Sequence, residues 1–549
     1  MRFFKIFFLY FNTLKFLKLK QIYMRIWFNL FKPRLVKTHI PILRLAKNEI
    51  YQSAKKKVSL INEDTFCFLN KSESLSEIGW NGEVNNVSRL WRYNQHYFDD
   101  LNAIQASRRN EWHNKLLNRW VKENPIGHGI GWHSYPTSLR IVNWIKWHCS
   151  KNILNETCKK SLAIQVRWLN KRIEWHILGN HLFSNAKALV FAGLFFSGKE
   201  ADGWLKKGLK IINRELEEQI LNDGGNFERS PMYHSIFLED LLDLINISYV
   251  FPGIISELNF NKWKKLANKM FNWLDTMVHP DGNISFFNDS TFGVSPKLNE
   301  LIRYANRLGL NYNLKKFDKI NHLADSGYIR LNYKNVVAIL DVAQIGPDYL
   351  PGHAHADTLS FEFSLFGKRL LVNGGTSQYG VNSIRHNERS TKSHNTVTIN
   401  NENSSEVWNG FRVARRAYPY GLNITELENS LSVSCSHNGY RRLNGKPSHS
   451  REWQLFQSSL IIKDKIKGPF KTAYAYFHFH PLIKINQNDK EDWTLIIPNC
   501  QQAKLQVKKG ESKIEKSFYS PEFNKRFEIQ CLKVKLEDSA SCVNITWDN

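Results

Sequence analysis

The hydrophobic periodicity of this 549-residue chain changes once, between about residues 310 and 326. From about residue 90 to 310, apolar residues recur at three- and four-residue spacing, as in PTSLRIVNWIKWHCS, GNHLFSNAKALVFAGLFF and SIFLEDLLDLINISYV, which predicts helices. From about residue 326, segments such as GYIRLNYKNVVAILDVAQ, TLSFEFSLFGKRLLVN and AYAYFHFH alternate or are rich in β-branched and aromatic residues, which predicts strands. A run of helices followed by a run of strands indicates an all-α half and then an antiparallel β half.

The length of the chain also indicates more than one domain, because single hydrophobic cores stop growing well below 549 residues. In the first half, short breaks such as NPIGHG, NDGGN and HPDGN separate helices of similar length, which favours paired helices in a bundle, solenoid or toroid. We therefore predict a basic leader or membrane-surface arm over residues 1–57, a helical domain over 58–318 and a β domain over 319–549.

The net charge of +26 is unevenly spread, because residues 1–57 hold 14 Lys and Arg but only one acidic residue, Glu49. Such an arm fits an anionic membrane surface, and the positive charge on the rest of the chain fits an acidic substrate. The apolar run in MRFFKIFFLYFNTLKFLKLK is too short to cross a bilayer. It suits either an interfacial amphipathic helix or an atypical export signal. A nucleic-acid partner is not expected, because the sequence has no zinc-finger spacing, RNP-like motif or P-loop.

Aromatic residues are abundant, with 17 Trp and 20 Tyr. Most of them are expected to build the core, but flat aromatic side chains with a polar edge also stack on sugars. Trp132 is the candidate for such a contact with a substrate.

The first polar constellation is Gly179-Asn180-His181, which directly precedes an apolar helix. Asn180 suits a helix N-cap, which would be a purely structural role. The alternative is a functional role, since helix starts attract anions and a neutral imidazole at His181 could donate to a carboxylate.

The second constellation, DGGNFERSPMYH, contains Glu228 as a substrate-binding candidate and places Ser230-Pro231 at the start of the next helix. Tyr233 then lies in the first turn of that helix, near the loop. On its own, this tyrosine would more often be structural than catalytic.

The third constellation, PGHAHADTLSFEF, would place His353, His355 and Asp357 on one face if the segment is a strand. Three titratable groups on one face are either solvated, paired or bound to a metal. His394, in RSTKSHNTV, opens an alternating segment and could join this cluster, while Arg389 lies in a basic neighbourhood and is a substrate-binding candidate.

Together and in this order, GNHLFSNAKALVFAGLFF, NFERSPMYH, GHAHADTLSF and RSTKSHNTV resemble the heparinase II/III polysaccharide lyases. The resemblance covers roughly residues 90–420, and the nearest subgroup is the one found beside bacterial surface-polysaccharide genes. It implies an (α/α) toroid followed by an antiparallel β-sandwich, with the active site between the two domains.

The resemblance also implies roles in the β-elimination of a uronate. Asn180, helped by His181, would neutralise the carboxylate. Tyr233 would be the acid and, for one C5 stereochemistry, also the base, which requires a lowered tyrosine pKa. The cations around Arg389 are the expected cause of that lowering. His353 would be the base for the opposite face.

Relatives in this family hold a structural zinc through two His and one Asp. His355 and His394 match the two His, but the position that aligns with the Asp is Asn373, in LLVNGGT. A neutral amide is a poor zinc ligand, and Asp357 is only a fallback. We therefore expect zinc to be weakly bound or absent.

Two other functions remain open from the sequence. A uronate C5-epimerase begins with the same proton abstraction, and a non-catalytic glycan-binding or assembly protein could use the same fold. The family resemblance favours the periplasm or cell envelope, whereas the broken apolar run favours a cytoplasmic protein attached to the inner-membrane surface. The identity of the glycan and the oligomeric state are not encoded in any motif that we recognise.

Overall fold

The computed structural model describes residues 2–33, 39–81 and 87–548. Within these ranges the helices are α1 (Arg2–Leu14), α2 (Leu19–Leu30), α3 (Leu75–Ile78), α4 (Arg89–Gln95), α5 (Asn110–Glu123), α6 (Ser134–Cys149), α7 (Glu156–Lys171), α8 (Gly179–Phe195), α9 (Lys199–Gln219), α10 (Pro231–Val250), α11 (Glu257–Thr276), α12 (Leu298–Arg307) and α13 (Ser383–Glu388).

The strands begin with a hairpin, β1 (Thr65–Phe68) and β2 (Lys71–Ser74). The others are β3 (Ile320–Leu323), β4 (Tyr328–Tyr333), β5 (Val336–Asp341), β6 (Phe361–Leu365), β7 (Lys368–Leu371), β8 (Val397–Ile399), β9 (Val407–Trp408), β10 (Arg412–Val413), β11 (Pro419–Leu427), β12 (Ser430–His437), β13 (Ser448–Phe456), β14 (Ser459–Lys467), β15 (Ala473–His478), β16 (Lys484–Asp489), β17 (Asp492–Ile496), β18 (Ala503–Lys509), β19 (Glu511–Glu522), β20 (Lys525–Lys535) and β21 (Ala540–Trp547).

The helical half has two layers. Helices α6, α8 and α10 are buried almost all round, which explains why their sequences are apolar on every face. Each packs against an amphipathic outer partner with one buried face, α7, α9 and α11 respectively. Gly208 lets α9 approach α8 closely, because a Cβ there would meet the carbonyl oxygen of Ala186 at 2.9 Å. Paired inner and outer helices of this kind build an α/α toroid.

The β half contains an eight-stranded sheet in the order β11-β12-β13-β14-β21-β18-β17-β16, a four-stranded sheet β19-β20-β15-β8 and a five-stranded sheet β3-β4-β5-β6-β7. Neighbouring strands in all three are antiparallel. Burial alternates along β13 and β21, so one face of the large sheet points into a shared apolar core. Trp453, Phe363 and Leu532, one from each sheet, all lie in that core, which gives a β-sandwich.

The change of periodicity coincides with the change of architecture. Helix α12 ends at Arg307 and β3 begins at Ile320, and no strand lies between residues 87 and 319, all of which the structure describes. Two elements depart from the simple order. The β1–β2 hairpin precedes the helical layers, and the short helix α13 interrupts the β half.

We predicted a basic leader or membrane-surface arm over residues 1–57, and its described part, residues 2–33 and 39–57, contacts both halves of the fold. In α1, the Thr13 hydroxyl accepts from the Trp408 indole N–H at 3.1 Å, on the β half. Just before α2, Lys18 pairs with Glu218 at 2.7 Å, on the helical half. The prediction also covered Met1 and residues 34–38, which lie outside the described residues. Among the helices that are described, none is both long and apolar enough to cross a membrane.

Candidate functional site

Four candidate residues come together where the helical half meets the β half. Asn180 and His181 lie in the first turn of α8, and Tyr233 lies in the first turn of α10. His353 comes from the loop between β5 and β6. The ring centroids of Tyr233 and His353 are 3.8 Å apart and nearly parallel. Residues separated by more than 100 positions in sequence therefore contact each other.

Local sequence sets the position of Tyr233. Ser230 caps α10 by accepting the backbone N–H of Tyr233 at 3.2 Å, and Pro231 occupies the first helical position. The Tyr233 hydroxyl then lies 2.9 Å from the hydroxyl of Tyr379, a residue of the β half. This contact joins the two halves at the reactive group.

Asp289 sets the tautomer of His353. Its Oδ2 lies 2.9 Å from Nδ1 of His353, and Arg385 forms two charged hydrogen bonds to the same carboxylate. Burial opposes ionisation of Asp289, but Arg385 and the imidazoles of His353 and His355 hold the pKa of this carboxyl well below its usual range. An ionised carboxylate only accepts hydrogen bonds, so Nδ1 of His353 donates to it, and in the tautomer that this contact selects the electron pair is on Nε2.

Glu228 lies on the other side of His353, with Oε2 3.7 Å from Nε2. The Glu228 carboxyl is 3% exposed and accepts the backbone N–H of Asn180. Burial raises the pKa of Glu228, although His353 and His181 partly oppose this. The predicted substrate-binding residue is thus within the cluster, and burial makes its carboxyl harder to ionise.

Asn180 is not the N-cap that the structural interpretation required. Leu178 occupies the N-cap position with φ of 69°, and the helix begins at Gly179, so the Asn180 side chain does not cap the helix. His181 is fixed on both sides. Its Nδ1 lies 3.2 Å from Oε2 of the buried Glu174, and its ring packs on Tyr135 at a centroid distance of 4.4 Å.

The prediction that cations lower the pKa of Tyr233 is wrong. Burial, Tyr379 and Asp289 raise the pKa of Tyr233 well above its usual value. The expected cation is not available, because the Arg389 side chain is 1% exposed and donates to the carbonyls of Ala354 and Gly410. Tyr233 is therefore a proton donor in its resting state, and Arg389 supports the loop rather than facing a substrate.

Trp132 is not at the site either. It is 3% exposed, its indole packs against Trp120 and Trp168, and its N–H donates to the Asn124 carbonyl at 3.3 Å. Both faces of the ring belong to the helical core, so the predicted stacking on a sugar is not supported.

The segment with His353 and His355 is a loop and not the strand that we predicted. Pro351-Gly352 and a positive φ at Leu359 break the extended conformation, and β6 begins only at Phe361. His394 likewise precedes its strand, β8, by three residues.

His355 and His394 nevertheless face each other, with Nδ1 and Nε2 3.2 Å apart. Burial lowers the pKa of His355 to about 4 and that of His394 to about 3, so both rings are neutral at pH 7. Two nitrogens on one tetrahedral zinc, each at about 2.0–2.1 Å, would lie roughly 3.3 Å apart. A direct N–H···N hydrogen bond has a similar length, so the separation of the two histidines alone does not distinguish a zinc pair from a hydrogen bond.

A third strong ligand does not complete this pair. The Asn373 side-chain oxygen accepts the Asn395 backbone N–H at 3.2 Å, and its buried amide nitrogen has no partner among the described residues. Asp357 is engaged by the Asn288 backbone N–H at 3.0 Å, and burial raises its pKa. The part of the chain that the structure describes contains no group of three His, Cys, Asp or Glu suited to a metal. The side chains present thus do not fit a tightly held zinc.

Sequence reasoning missed three residues of this site: Asp289, Tyr379 and Arg385. Asp289 lies in FFNDSTFG, a loop after the last apolar helix pattern, and Tyr379 lies in GTSQYG. Arg385 lies four residues before Arg389 and is fully buried, which a count of basic residues does not reveal. The only available signal was an acidic residue between the phenylalanines of FFNDSTFG.

Comparison with known proteins identifies the group to which this arrangement belongs. Residues 37–308 match the family model "Heparinase II/III N-terminus", and residues 318–548 match "Heparinase II/III-like, C-terminal". The chain belongs to the heparinase II/III family. The resemblance inferred from its motifs is therefore confirmed.

Relatives in this family include a heparin-sulfate lyase of Bacteroides stercoris, 27% identical over 340 residues, which make up 58% of this chain and 48% of the relative. A heparin-sulfate lyase of Pedobacter heparinus is 23% identical over 337 residues, which make up 54% of this chain and 49% of the relative. The heparinase II/III chain described here thus spans about half the length of the curated relatives that it matches.

Solved structures confirm the predicted toroid and β-sandwich. The crystal structure of heparinase III superposes with a TM-score of 0.69 at 16% identity, covering 96% of this chain and 88% of that one. Heparan sulfate lyase HepC from Pedobacter heparinus gives a TM-score of 0.57 at 16% identity, covering 87% and 80%. At such identities the similarity concerns the fold.

Proposed function

We propose that this protein is a polysaccharide lyase that cleaves a uronate-containing acidic polysaccharide by β-elimination. The observation that carries the proposal is the contact between Tyr233, a protonated acid, and His353, whose Nδ1 is held by Asp289 so that Nε2 is the nitrogen available as a base. An acid and a base side by side at a domain junction meet the two proton-transfer needs of β-elimination.

In the proposed reaction, Nε2 of His353 takes the C5 proton of the uronate. The electrons of the C–H bond form the C4=C5 double bond, and the C4–O bond breaks. The Tyr233 hydroxyl gives its proton to the leaving glycosidic oxygen. Tyr379, 2.9 Å from that hydroxyl, is placed to reprotonate Tyr233.

The carboxylate of the uronate would lie at the first turn of α8. There Asn180 would donate to it, and His181, held by Glu174 through Nδ1, would present Nε2. Glu228, whose pKa burial raises, accepts the Asn180 backbone N–H and so helps to hold this first turn in place. Stabilising charge that develops on the carboxylate is usually the largest contribution to such a rate.

The raised pKa of Tyr233 supports His353 as the base. A tyrosine base would first need to lose its proton, which burial and the neighbouring Asp289 oppose. We therefore expect substrates whose C5 proton faces His353 to react faster than their C5 epimers.

The decisive experiment measures ultraviolet absorbance of the unsaturated uronate produced from a panel of acidic glycans. The heparin-sulfate lyases among the relatives make heparan sulfate the first glycan to test. Appearance of the chromophore, and its loss in His353→Ala, is the expected result. Exchange of C5 hydrogen with solvent deuterium without chromophore would favour an epimerase. Binding without either signal would favour a non-catalytic glycan-binding protein.

We also propose that α1 and α2 contact an anionic membrane surface in the cell envelope, with the periplasm as the compartment. Both helices expose large apolar side chains beside lysines and arginines: Phe4, Phe7, Phe8, Phe11, Leu14, Leu19, Tyr23, Ile26, Trp27 and Leu30. Apolar groups interleaved with cations suit the boundary between lipid head groups and acyl chains.

Co-sedimentation with vesicles tests the surface contact, and a reporter that is active only after export tests the compartment. Phe7→Ser together with Phe11→Ser should weaken sedimentation with vesicles containing anionic lipid. Replacing Leu258 and Ile153, exposed apolar residues far along the chain, by Ser is the matched control. Equal sedimentation of both variants and the unchanged protein would contradict the membrane contact. A reporter that is active only when it is not exported would contradict the periplasm as the compartment.

A further inference from the structure

A second polar cluster lies on the helical half and plays no part in the proposed chemistry. Arg89 and Tyr93 lie in α4, and His133 directly precedes α6. The Tyr93 hydroxyl is 2.9 Å from Nη2 of Arg89 and 2.9 Å from Nδ1 of His133. Arg89 and His133 are both exposed, so a ligand in solution could reach them.

This cluster is joined to the site by the chain itself, through Tyr135. Tyr135, two residues after His133, packs on His181 at a centroid distance of 4.4 Å and lies near enough to Tyr233 to influence its pKa. Glu174, the partner of His181, similarly influences the pKa values of Tyr93 and His133. The cluster therefore lies next to the site on the helical half.

The hydrogen-bond directions in the cluster select for an anion. Arg89 can only donate, and its Nη2 lies 2.9 Å from the Tyr93 oxygen and 3.4 Å from Nδ1 of His133, so both of these atoms accept. The Tyr93 hydroxyl hydrogen is then directed toward Nδ1 of His133. A neutral imidazole that accepts at Nδ1 carries its proton at Nε2. Among the described residues, no acceptor contacts Nε or Nη1 of Arg89. The groups that the cluster can offer to a ligand are therefore N–H donors and the positive charge of Arg89.

We propose that Arg89, Tyr93 and His133 form a second anion-binding subsite, which holds a carboxylate or sulfate on a sugar other than the one that is cleaved. The inference rests on the proposed function, since it assigns the cluster to the same acidic glycan. Arg89 would contact the anion directly with a planar, charged donor group, and Tyr93 would be a positioning residue for Arg89 and His133.

The test is a binding measurement that does not require turnover. Fluorescently labelled hexasaccharides of alginate, which has carboxylates only, and of heparin, which also has sulfates, are titrated into Tyr233→Phe protein with and without Arg89→Gln. Arg108→Gln is the matched control, because Arg108 is an exposed arginine of the same helical half. Chromophore formation is measured in parallel with Tyr233 intact.

We expect Arg89→Gln to weaken binding about tenfold, as for loss of a charged hydrogen bond at an exposed site, and Arg108→Gln to change it less than twofold. Arg89→Lys, which keeps the charge but not the fork of donors, should lie between. A loss with both hexasaccharides indicates a carboxylate, and a loss with heparin alone indicates a sulfate. Equal affinities of the Arg89→Gln and parent proteins, including no binding by either, would overturn the subsite. Absence of chromophore with a selective loss of binding would overturn the lyase and leave the subsite standing.

Discussion

Replacing Asp289 by Asn should separate the orientation of His353 from the stability of the fold. The Asp289 carboxylate is fully buried and accepts from His353, His355 and both terminal nitrogens of Arg385. An amide of the same shape must turn its NH2 group toward N–H donors of Arg385 in either orientation. It also no longer requires the proton of His353 to be on Nδ1.

The loss of stability and the loss of rate should both be large. Leaving a buried charge without its partner costs about 3–5 kcal/mol of stability. Losing the correct tautomer of a general base lowers the rate by roughly 10²–10⁴. The expected result for Asp289→Asn is therefore a lower thermal midpoint and a fall in kcat of at least about a hundredfold on whichever glycan gives the chromophore.

The chain contains a matched control, because the β-sandwich core repeats the same chemistry around a carboxylate with other partners. Asp464 accepts from His449 Nε2 at 2.7 Å and from Arg451 at 2.7 and 2.9 Å, and His449 contacts a second imidazole, His437, at 3.2 Å. Asp464→Asn should lower the thermal midpoint by a similar amount and leave kcat within about threefold of the unchanged protein. If both variants lose stability equally and Asp289→Asn retains near-normal kcat, Asp289 has no role in orienting the base.

Three further outcomes are expected. Tyr233→Phe should lower turnover roughly 10²-fold or more and cost only about 0.5–1.5 kcal/mol of stability, as seen by steady-state absorbance and denaturation; near-normal turnover by the folded variant would remove the acid from the mechanism. Elemental analysis of purified protein should find well under one zinc per chain, and stoichiometric zinc would show that His355 and His394 suffice with the amide of Asn373. Hydrogen bonds from His113 and Arg109 outweigh the burial of Asp100 and lower its pKa from 3.8 to about 2. Ionised Asp100 should therefore add about 2 kcal/mol to the free energy of unfolding, in full above pH 4 and progressively less as the pH falls toward 2. Asp100→Asn should remove that part of the pH dependence in denaturation measured across this range.

Periodicity was sufficient for the architecture but not for local conformation at the site. The all-apolar faces of α8 and α10 and the alternation in β13 and β21 predict inner helices and sandwich strands, because burial selects the residue type at each position. The segment around His353 also alternates polar and apolar residues, so it was predicted to be a strand. Its loop conformation depends on contacts with other parts of the chain, such as the backbone hydrogen bond from Asp289 to His353 at 2.9 Å.

The sequence-predicted residues that the structure brings together share a feature that the missed ones lack. Asn180, Tyr233 and His353 stand beside glycine, proline or helix-start signals, so their positions near loops can be predicted locally. Asp289 and Arg385 act through each other across 96 positions and are both fully buried, where a charged residue is stable only with a partner. Pairing of this kind depends on how the two halves dock and has no local pattern. It is also the pairing that sets which nitrogen of His353 is free, so the chemistry proposed here depends on the part of the site that only the tertiary structure reveals.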